Sequence, residues 1–114
     1  MKFRNTDYIN NCLAKLNIIE AKYTEAIRNT RMSRSSYVRN TYAAALILTG
    51  DKNNIRESMK ILEAIVKDRH NLSRSLSIAL LAKAYQLMGY DKDKERLIED
   101  NNSTSVQRLL EFIM

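Results

Sequence analysis

Apolar residues recur at helical spacing over the first quarter of the chain. The first stripe, with steps of three or four residues, consists of Cys12, Leu16, Ile19, Tyr23 and Ile27. Such steps place side chains on one face of an amphipathic helix. The stripe stays in phase past Asn17, and no glycine or proline interrupts it. We therefore expect one long helix over residues 7–30, with two shorter helices that meet at Asn17 as the alternative.

Two further helices are predicted in the middle of the chain. A polar, serine-rich segment precedes a helix that begins near Tyr37 and ends at Gly50. The second half of this helix reads YAAALILTG, with small and branched apolar residues on nearly every face, so we expect it to have neighbours on several sides. Asn54 and Glu57 stand at capping-box spacing, which predicts the start of a helix that runs to about Asp68.

The last third of the chain continues the helical pattern. The segment SIALLAKAYQLM is apolar on most faces and ends at Gly89, and a short charged helix is expected over residues 91–99. Thr104 and Gln107 again stand at capping-box spacing and predict the start of a terminal helix. The whole pattern predicts an all-α fold of five to six helices, and its short loops make sequential helices antiparallel.

Two segments of the chain resemble each other. YAAALILTG, which ends at Gly50, aligns with LAKAYQLMG, which ends at Gly89, and a polar turn and a more amphipathic helix follow each of them. The offset of 39 residues is somewhat longer than the roughly 34-residue period of tetratricopeptide (TPR) repeats. We expect a single TPR-like domain, residues 1–114, made of stacked antiparallel helical hairpins. The alternative is an ordinary helical bundle with glycine at two helix ends.

Composition narrows the class of protein. The 114 residues include no proline and two glycines, which favours long helices over turn-rich β structure. The single cysteine, Cys12, cannot form an internal disulfide, and we expect a buried thiol in a reducing compartment. The N-terminus lacks an apolar signal-peptide core, and the longest apolar run, residues 42–48, is too short to span a bilayer. We therefore expect a cytoplasmic protein.

Positive charge is concentrated in the first half of the chain. The net charge is +6, and a cluster of basic residues comprises Arg28, Arg31, Arg34 and Arg39. Because acidic residues are interleaved nearby, a solvated face or a contact with an acidic protein is favoured over nucleic acid. A small basic helical regulator that binds nucleic acid or an acidic protein partner is the alternative function, and a self-associating structural module is a third.

No residue pattern in the sequence predicts catalysis. The one histidine, His70, is expected in a solvated loop beside Asp68 and Arg69. The sequence contains no CxxC, no HExxH and no glycine-rich phosphate loop. We therefore expect a protein that is not an enzyme and that uses neither a cofactor nor a metal.

A curved stack of helical hairpins can bind a foreign helix or peptide on its concave side. If Gly50 and Gly89 mark equivalent turns, residues of the two glycine-ended helices are predicted to line this groove. They are Tyr37, Asn40, Ala44, Ile47, Leu48, Leu76, Ala79, Lys83, Gln86 and Leu87. The alternative is that the apolar members of this set belong to the core.

The C-terminal part of the chain resembles a known family. Residues 77–114 contain SIALLAKAYQLMG, then a charged helix that ends in ERLIEDN, then a short final helix with QRLLEFIM. In these segments, in overall length and in helix order, the chain is similar to the TPR-like cochaperones of type III secretion needle subunits, the YscG/PscG group. The first repeat and the long offset between the glycines depart from the pattern of that group.

The resemblance implies a specific function. It implies a cytoplasmic chaperone that joins a small helical cochaperone and sequesters the needle subunit, as a heterotrimer, before export. The groove would bind the C-terminal amphipathic helix of the needle subunit and so prevent premature polymerisation. By the same resemblance, Tyr8, Cys12, Leu16 and Ile19 are expected to contact the cochaperone.

Overall fold

A computed structural model describes the backbone of residues 5–114 and the side chains of residues 8–114. This part of the chain forms seven helices and no strand. They are α1 (Asn5–Ile19), α2 (Tyr23–Thr30), α3 (Ser36–Leu48), α4 (Lys52–Lys67), α5 (Arg74–Met88), α6 (Asp91–Asp100) and α7 (Thr104–Ile113). The all-α prediction is confirmed, with more helices than the five or six expected.

The helices pack in a regular order. Consecutive helices form the hairpins α1/α2, α3/α4 and α5/α6, and the second helix of the first two hairpins also contacts the first helix of the next. The odd-numbered helices contact one another in series, α1 with α3, α3 with α5 and α5 with α7. The odd-numbered helices therefore form a continuous row, and α2, α4 and α6 pack beside it.

The prediction of one long helix over residues 7–30 is wrong. The chain turns at Ala21, whose backbone has a φ of +61°. The N–H of Ala21 donates to the carbonyl of Ile18 at 3.0 Å, and the N–H of Lys22 donates to the carbonyl of Asn17 at 2.6 Å. This pair of hydrogen bonds is the Schellman motif that ends a helix with a left-handed residue. The alternative of two shorter helices is therefore right, but the turn lies at Ala21 and not at Asn17. Because Ala21 is alanine rather than glycine, its position was not visible in the sequence pattern.

The two glycines end helices as predicted. Gly50 and Gly89 have φ values of +74° and +77°, the left-handed region that glycine enters without steric cost. At the end of α5, the N–H of Tyr90 donates to the carbonyl of Tyr85 at 2.8 Å, which again completes a Schellman motif. Ala21, Gly50 and Gly89 are thus corresponding positions at the ends of α1, α3 and α5.

The predicted starts of two helices are displaced. The N-cap of α4 is Asp51, whose carboxylate accepts from the N–H groups of Asn53 and Asn54, so Asn54 lies inside the helix. The N-cap of α7 is Ser103, whose hydroxyl accepts from the N–H of Val106 at 3.2 Å, in place of Thr104. In both cases an earlier short polar side chain reaches the free N–H groups first.

The core consists of two clusters that differ in the size of their side chains. The larger cluster joins α3, α4 and α5 through Ile47, Ile55, Leu62 and Leu81, with Ile113 of α7 packed against it. The smaller cluster, which holds the first hairpin against α3, is built from Ala14, Ala26 and Ala45, flanked by Ile18 and Ile27. Because alanine removes much less apolar area from water than leucine or isoleucine, the first hairpin is held less strongly.

A common burial pattern relates α1, α3 and α5. When the helices are aligned on Ala21, Gly50 and Gly89, the offsets are 29 and 39 residues. Three alanines coincide and are fully buried, namely Ala14, Ala43 and Ala82. Asn11 and Asn40 also coincide, and both are buried. The three helices are therefore equivalent units, and the shorter first offset reflects the short helix α2.

The buried asparagines are bonded differently. The Asn40 side chain donates to the Ser73 carbonyl at 3.2 Å and accepts from the Ser77 hydroxyl at 2.7 Å, which ties α3 to α5. The Oδ1 atom of Asn11 is buried without a hydrogen-bond partner among the described residues. The position on α3 that corresponds to Ser77 is Val38, which has no hydroxyl to donate.

Candidate polypeptide-binding surface

Exposed large apolar side chains are concentrated on the odd-numbered helices. Those that lie within helices are Tyr8, Ile9, Leu13, Leu16, Ile19, Tyr37, Leu48, Leu76, Leu87 and Phe112. None belongs to α2, α4 or α6, all of which the structure describes. The row of odd-numbered helices therefore presents apolar surface to solvent, while the helices beside it present mainly polar and charged side chains.

Nine of the positions on this side form a regular array, which we call the odd-helix face. Its first row is Tyr8, Tyr37 and Leu76; its middle row is Lys15, Ala44 and Lys83; its third row is Ile19, Leu48 and Leu87. Each row takes one residue from the equivalent position of α1, α3 and α5. The first and third rows are exposed, while Ala44 and Lys83 in the middle are half-buried.

The geometry of the odd-helix face suits an α-helix. Within each helix the outer rows are eleven residues apart, as Tyr37 and Leu48 show, which corresponds to about 16 Å along the helix axis. A helix with its side chains is about 10–12 Å across. The small side chain of Ala44 lies at the centre between the two outer rows. We call the strip between these rows, which crosses α1, α3 and α5, the trough.

One direct contact joins α1 and α3 on this face. The Lys15 ammonium donates to the Tyr37 hydroxyl at 2.6 Å and lies 4.7 Å from the centre of the Tyr37 ring. The second distance places the cation within reach of the ring's negative face. The contact shows that the α1 and α3 parts of the odd-helix face lie side by side.

Charge is distributed unequally between the two sides of the molecule. Neither α3 nor α5 contains an acidic residue, whereas α6 alone contains five. Lys15 and Lys83 are the charged members of the odd-helix face, and among the described residues neither forms an ion pair with a carboxylate. The odd-helix face is therefore apolar, with one lysine at each end of its middle row.

A second apolar surface lies on the outer side of α1. It consists of Ile9, Leu13 and Leu16, and we call it the end face. The corresponding residues of α3 are Val38, Tyr42 and Ala45, and all three are buried. The same holds for Ser77, Leu81 and Ala84 on α5. In α3 and α5 these positions are covered within the stack, whereas α1, the first helix of the row, leaves them open.

The predicted groove residues divide into three groups. Five are exposed, namely Tyr37, Leu48, Leu76, Gln86 and Leu87, and two are half-buried, Ala44 and Lys83. The remaining three, Asn40, Ile47 and Ala79, are buried, so these three do not line an accessible surface. Asn40 is turned towards α5 by its hydrogen bonds with Ser73 and Ser77, and Ile47 packs in the larger core cluster.

The residues expected to contact a cochaperone lie on two surfaces. All four, Tyr8, Cys12, Leu16 and Ile19, are exposed. Tyr8 and Ile19 belong to the odd-helix face, whereas Leu16 belongs to the end face. The expected burial of the Cys12 thiol is wrong, because Cys12 lies on the side of α1 that no other helix covers.

Several surface residues were not predicted. Ile9 and Leu13 lie beside the expected α1 stripe, and Phe112 of α7 is almost fully exposed. The signal for the first two was the 29-residue offset, because Ile9 then corresponds to Val38 and Leu13 to Tyr42. Recognising that offset requires reading Ala21 as the counterpart of Gly50.

The arginine cluster is partly engaged within the chain. Arg28 forms an ion pair with Glu25 at 3.3 Å, and Arg39 donates to the Ser33 carbonyl at 3.1 Å. The Arg39 guanidinium also lies 5.7 Å from the centre of the Tyr42 ring. These contacts direct two of the four arginines to neighbouring groups of the protein itself.

The pKa values of two tyrosine hydroxyls are raised. Burial, together with the charge and the hydrogen bond of the nearby Glu63 carboxylate, raises the pKa of Tyr85 to about 12. Burial and the Glu57 carboxylate, which accepts the Tyr42 hydroxyl at 3.2 Å, raise the pKa of Tyr42 as well. Both hydroxyls thus stay protonated and tie α3 and α5 to α4.

Other candidate chemistry is sparse in the described part of the chain. His70 is exposed in the loop between α4 and α5, as predicted. No group of three or more His, Cys, Asp or Glu side chains among residues 8–114 is arranged to hold a metal ion. Within the described residues, no helix has the length and apolar character needed to cross a bilayer.

Comparisons of this chain with protein-family models, with curated proteins and with solved structures give no match. The fold and the surface define the molecule as an all-helical stack that exposes apolar side chains along one row of helices.

Proposed function

We propose that this protein is a chaperone that binds an amphipathic helix of another polypeptide on its odd-helix face. The observation that carries the proposal is the confinement of exposed apolar helix residues to the odd-numbered helices, in register across α1, α3 and α5. A regular array of exposed apolar side chains marks an interaction surface. Its rows leave room for one helix, which is the helix-in-groove mode of recognition.

We interpret the stack as TPR-like. The order of helix contacts supports this interpretation, because the first helices of the hairpins contact one another in series and α2 and α4 each contact the next hairpin. In a stack of this kind the row of first helices provides the surface for a ligand. The offsets of 29 and 39 residues are those of degenerate repeats, with the length difference taken up by α2 and α4.

The proposed client is the needle subunit of a type III secretion system, and the proposed location is the cytoplasm. The sequence resemblance of residues 77–114 motivates this choice. A subunit that polymerises exposes apolar helix surface before assembly, and that surface must be covered reversibly. Covering about 300–400 Å² of it would supply roughly 8–10 kcal/mol before the costs of ordering and association are subtracted.

The proposed position of the small helical cochaperone is the end face. Ile9, Leu13 and Leu16 correspond to positions that pack within the stack in α3 and α5. A helical hairpin of the cochaperone that packs on α1 would continue the stack and cover these residues. Client and cochaperone would then use adjacent surfaces that share helix α1.

The test is coexpression of this chain with a candidate needle subunit and a candidate small cochaperone. We expect a soluble heterotrimer that elutes as one species. Changing Leu48 and Leu87 to glutamate should release the needle subunit and retain the cochaperone, because these residues lie only on the odd-helix face. Changing Leu13 to glutamate should release the cochaperone, because Leu13 lies only on the end face.

A matched control is a change on the opposite side of the stack, Ala64→Glu, at an exposed position of α4. This variant should retain both partners. Failure of the wild-type chain to copurify with either partner would remove the needle-chaperone proposal. Loss of both partners in a surface variant, while the control retains both, would contradict the assignment of separate surfaces.

A further inference from the structure

We infer that the helix bound by this protein lies across α1, α3 and α5 along the middle row and carries two carboxylates about 11 residues apart, which meet Lys15 and Lys83. This inference rests on the proposed function and specifies the chemistry of the client. It follows from the direction of the trough, the spacing of the helices and the charges of the odd-helix face.

The direction of the bound helix follows from the positions of the two apolar rows. Tyr37 and Leu48 lie at opposite edges of the trough on α3, and Leu76 and Leu87 do so on α5. Ala44 lies between the edges of the trough on α3. A helix that crosses the odd-numbered helices between the two rows therefore meets apolar side chains on both flanks. A helix laid lengthwise on α3 would meet only the residues of α3.

The spacing of the two carboxylates follows from the distance between packed helices in the stack. Neighbouring packed helices are about 8–10 Å apart, so equivalent positions on α1 and α5 are separated by about 16–20 Å. An α-helix rises about 1.5 Å per residue, so about 11–13 residues cover that distance, and about 11 is the spacing in this range nearest to a whole number of turns. Eleven residues are close to three full turns, so two side chains at this spacing point in the same direction.

The negative charge expected on the bound helix follows from the lysines of the middle row. Lys15 is exposed and Lys83 is half-buried, and among residues 8–114 neither is paired with a carboxylate. The adjacent helices α3 and α5 contain no acidic residue. The Lys15 ammonium donates one of its three N–H groups to the Tyr37 hydroxyl and keeps two for a ligand. Two lysines at equivalent positions of the middle row favour an amphipathic helix that carries carboxylates.

The inference is tested with a designed helical peptide of about 18 residues that has a leucine stripe and two glutamates about 11 residues apart on one edge of the stripe. The comparison peptide is an isomer of identical composition, with the two glutamates moved to the opposite face. Binding is measured by fluorescence anisotropy at low ionic strength. We expect the first peptide to bind about tenfold more tightly than the isomer, since exposed ion pairs are each worth only a few-fold in affinity.

Charge reversal of the protein gives the decisive comparison. In the variant K15E/K83E, a third peptide with lysines in place of the two glutamates should bind more tightly than the glutamate peptide. The matched control K60E/K67E, on exposed positions of α4, changes the net charge equally and should leave the original preference intact. The variant K15Q/K83Q, which adds no acidic group to either helix, should lose the preference without reversing it.

The outcomes separate this inference from the proposed function. Equal binding of the glutamate peptide and its isomer, with loss of both in the variant L48E/L87E, would overturn the carboxylate pairing and leave the odd-helix face as a client site. Binding of neither peptide to the wild-type chain would count against both. A preference that changes to the same extent in K60E/K67E would show that net charge alone is responsible, and would overturn the pairing.

Discussion

Ala21 ends helix α1 in a backbone conformation that normally favours glycine. Its φ of +61° matches those of Gly50 and Gly89, but its side chain makes the left-handed region unfavourable by roughly 1 kcal/mol. We therefore expect Ala21→Gly to raise the free energy of unfolding by about 1 kcal/mol, less a small loss from the more flexible unfolded chain. Urea denaturation followed by circular dichroism measures this change.

Gly50→Ala is the matched reverse substitution. No atom lies within 4 Å of the position that a Cβ at Gly50 would occupy, so the only cost is the backbone conformation. We expect a loss of about 1 kcal/mol. If Ala21→Gly lowers stability while Gly50→Ala also lowers it, then the turn after α1 is not equivalent to the turn after α3.

The Tyr85 hydroxyl gives stability a defined dependence on pH. Because burial and Glu63 raise its pKa to about 12, the folded state favours the neutral phenol more than the unfolded state does, whose tyrosine pKa is about 10. The contribution of the Tyr85 hydroxyl to the free energy of unfolding is fully present below about pH 10 and is lost as the pH rises towards 12. Tyr85→Phe should cost about 1 kcal/mol at pH 8, from the lost hydrogen bond to Glu63.

Above pH 10 the difference between the two proteins should narrow. The free energy of unfolding of Tyr85→Phe should fall less steeply between pH 10 and 12 than that of the wild-type chain, as measured by urea denaturation at each pH. Parallel curves over this range would show that the Tyr85 hydroxyl does not titrate differently in the folded protein.

At the scale of the helices, equivalent positions have opposite environments at the start and in the middle of the stack. Leu13 is 45% exposed and Leu81, its counterpart on α5, is 1% exposed. We expect Leu13→Glu to change the free energy of unfolding by less than about 1 kcal/mol. Leu81→Glu should cost more than about 4 kcal/mol, because it places a charge in the larger core cluster.

Thermal denaturation of both variants checks this expectation. Comparable destabilisation would mean that Leu13 is covered in the folded chain, and the end face would then not be an open surface. A stable Leu13→Glu variant also allows the proposed cochaperone contact to be tested separately from folding.

The sequence predicts the helices well where the signal is local. The ends of α3 and α5 were correctly placed because glycine is the preferred left-handed residue and is visible in the sequence. The break at Ala21 was missed because alanine there carries no local preference for ending a helix. The burial of Asn40 was missed because it depends on Ser73 and Ser77, which only the packing of α5 brings near.

The two surfaces of α1 also could not be separated from the sequence. Leu16 and Ile19 form part of one apolar stripe in the sequence pattern, yet they lie on different surfaces of α1. Which of them join the odd-helix face depends on how α1 packs against α3, and which of them lie on the end face depends on α1 being the first helix of the row. Periodicity shows that a face is apolar and leaves open what it contacts.

At the scale of the whole molecule, stability is distributed unevenly. The first hairpin is attached through alanines, whereas α3, α4 and α5 share leucine and isoleucine side chains. We expect backbone amides of α1 and α2 to exchange with deuterium at least about tenfold faster than those of α4 and α5, since they can open without unfolding the rest. Hydrogen-exchange mass spectrometry on the isolated chain measures this difference.

If the proposed cochaperone binds the end face, adding it should slow exchange in α1 and α2 selectively, because those side chains would then be covered. Uniform exchange rates along the isolated chain would contradict the unequal attachment of the first hairpin. They would show that the molecule opens as one cooperative unit.

The open side of α1 also limits how copies of this protein can join. A filament grows when one end of a molecule fits the opposite end of the next. Here the far end is formed by α6 and α7, and α6, with no buried residue and a surface of alternating acidic and basic side chains, is a poor counterpart for Ile9, Leu13 and Leu16. A copy added through α1 therefore finds no matching apolar surface on α6, so growth of an open chain through α6 is disfavoured.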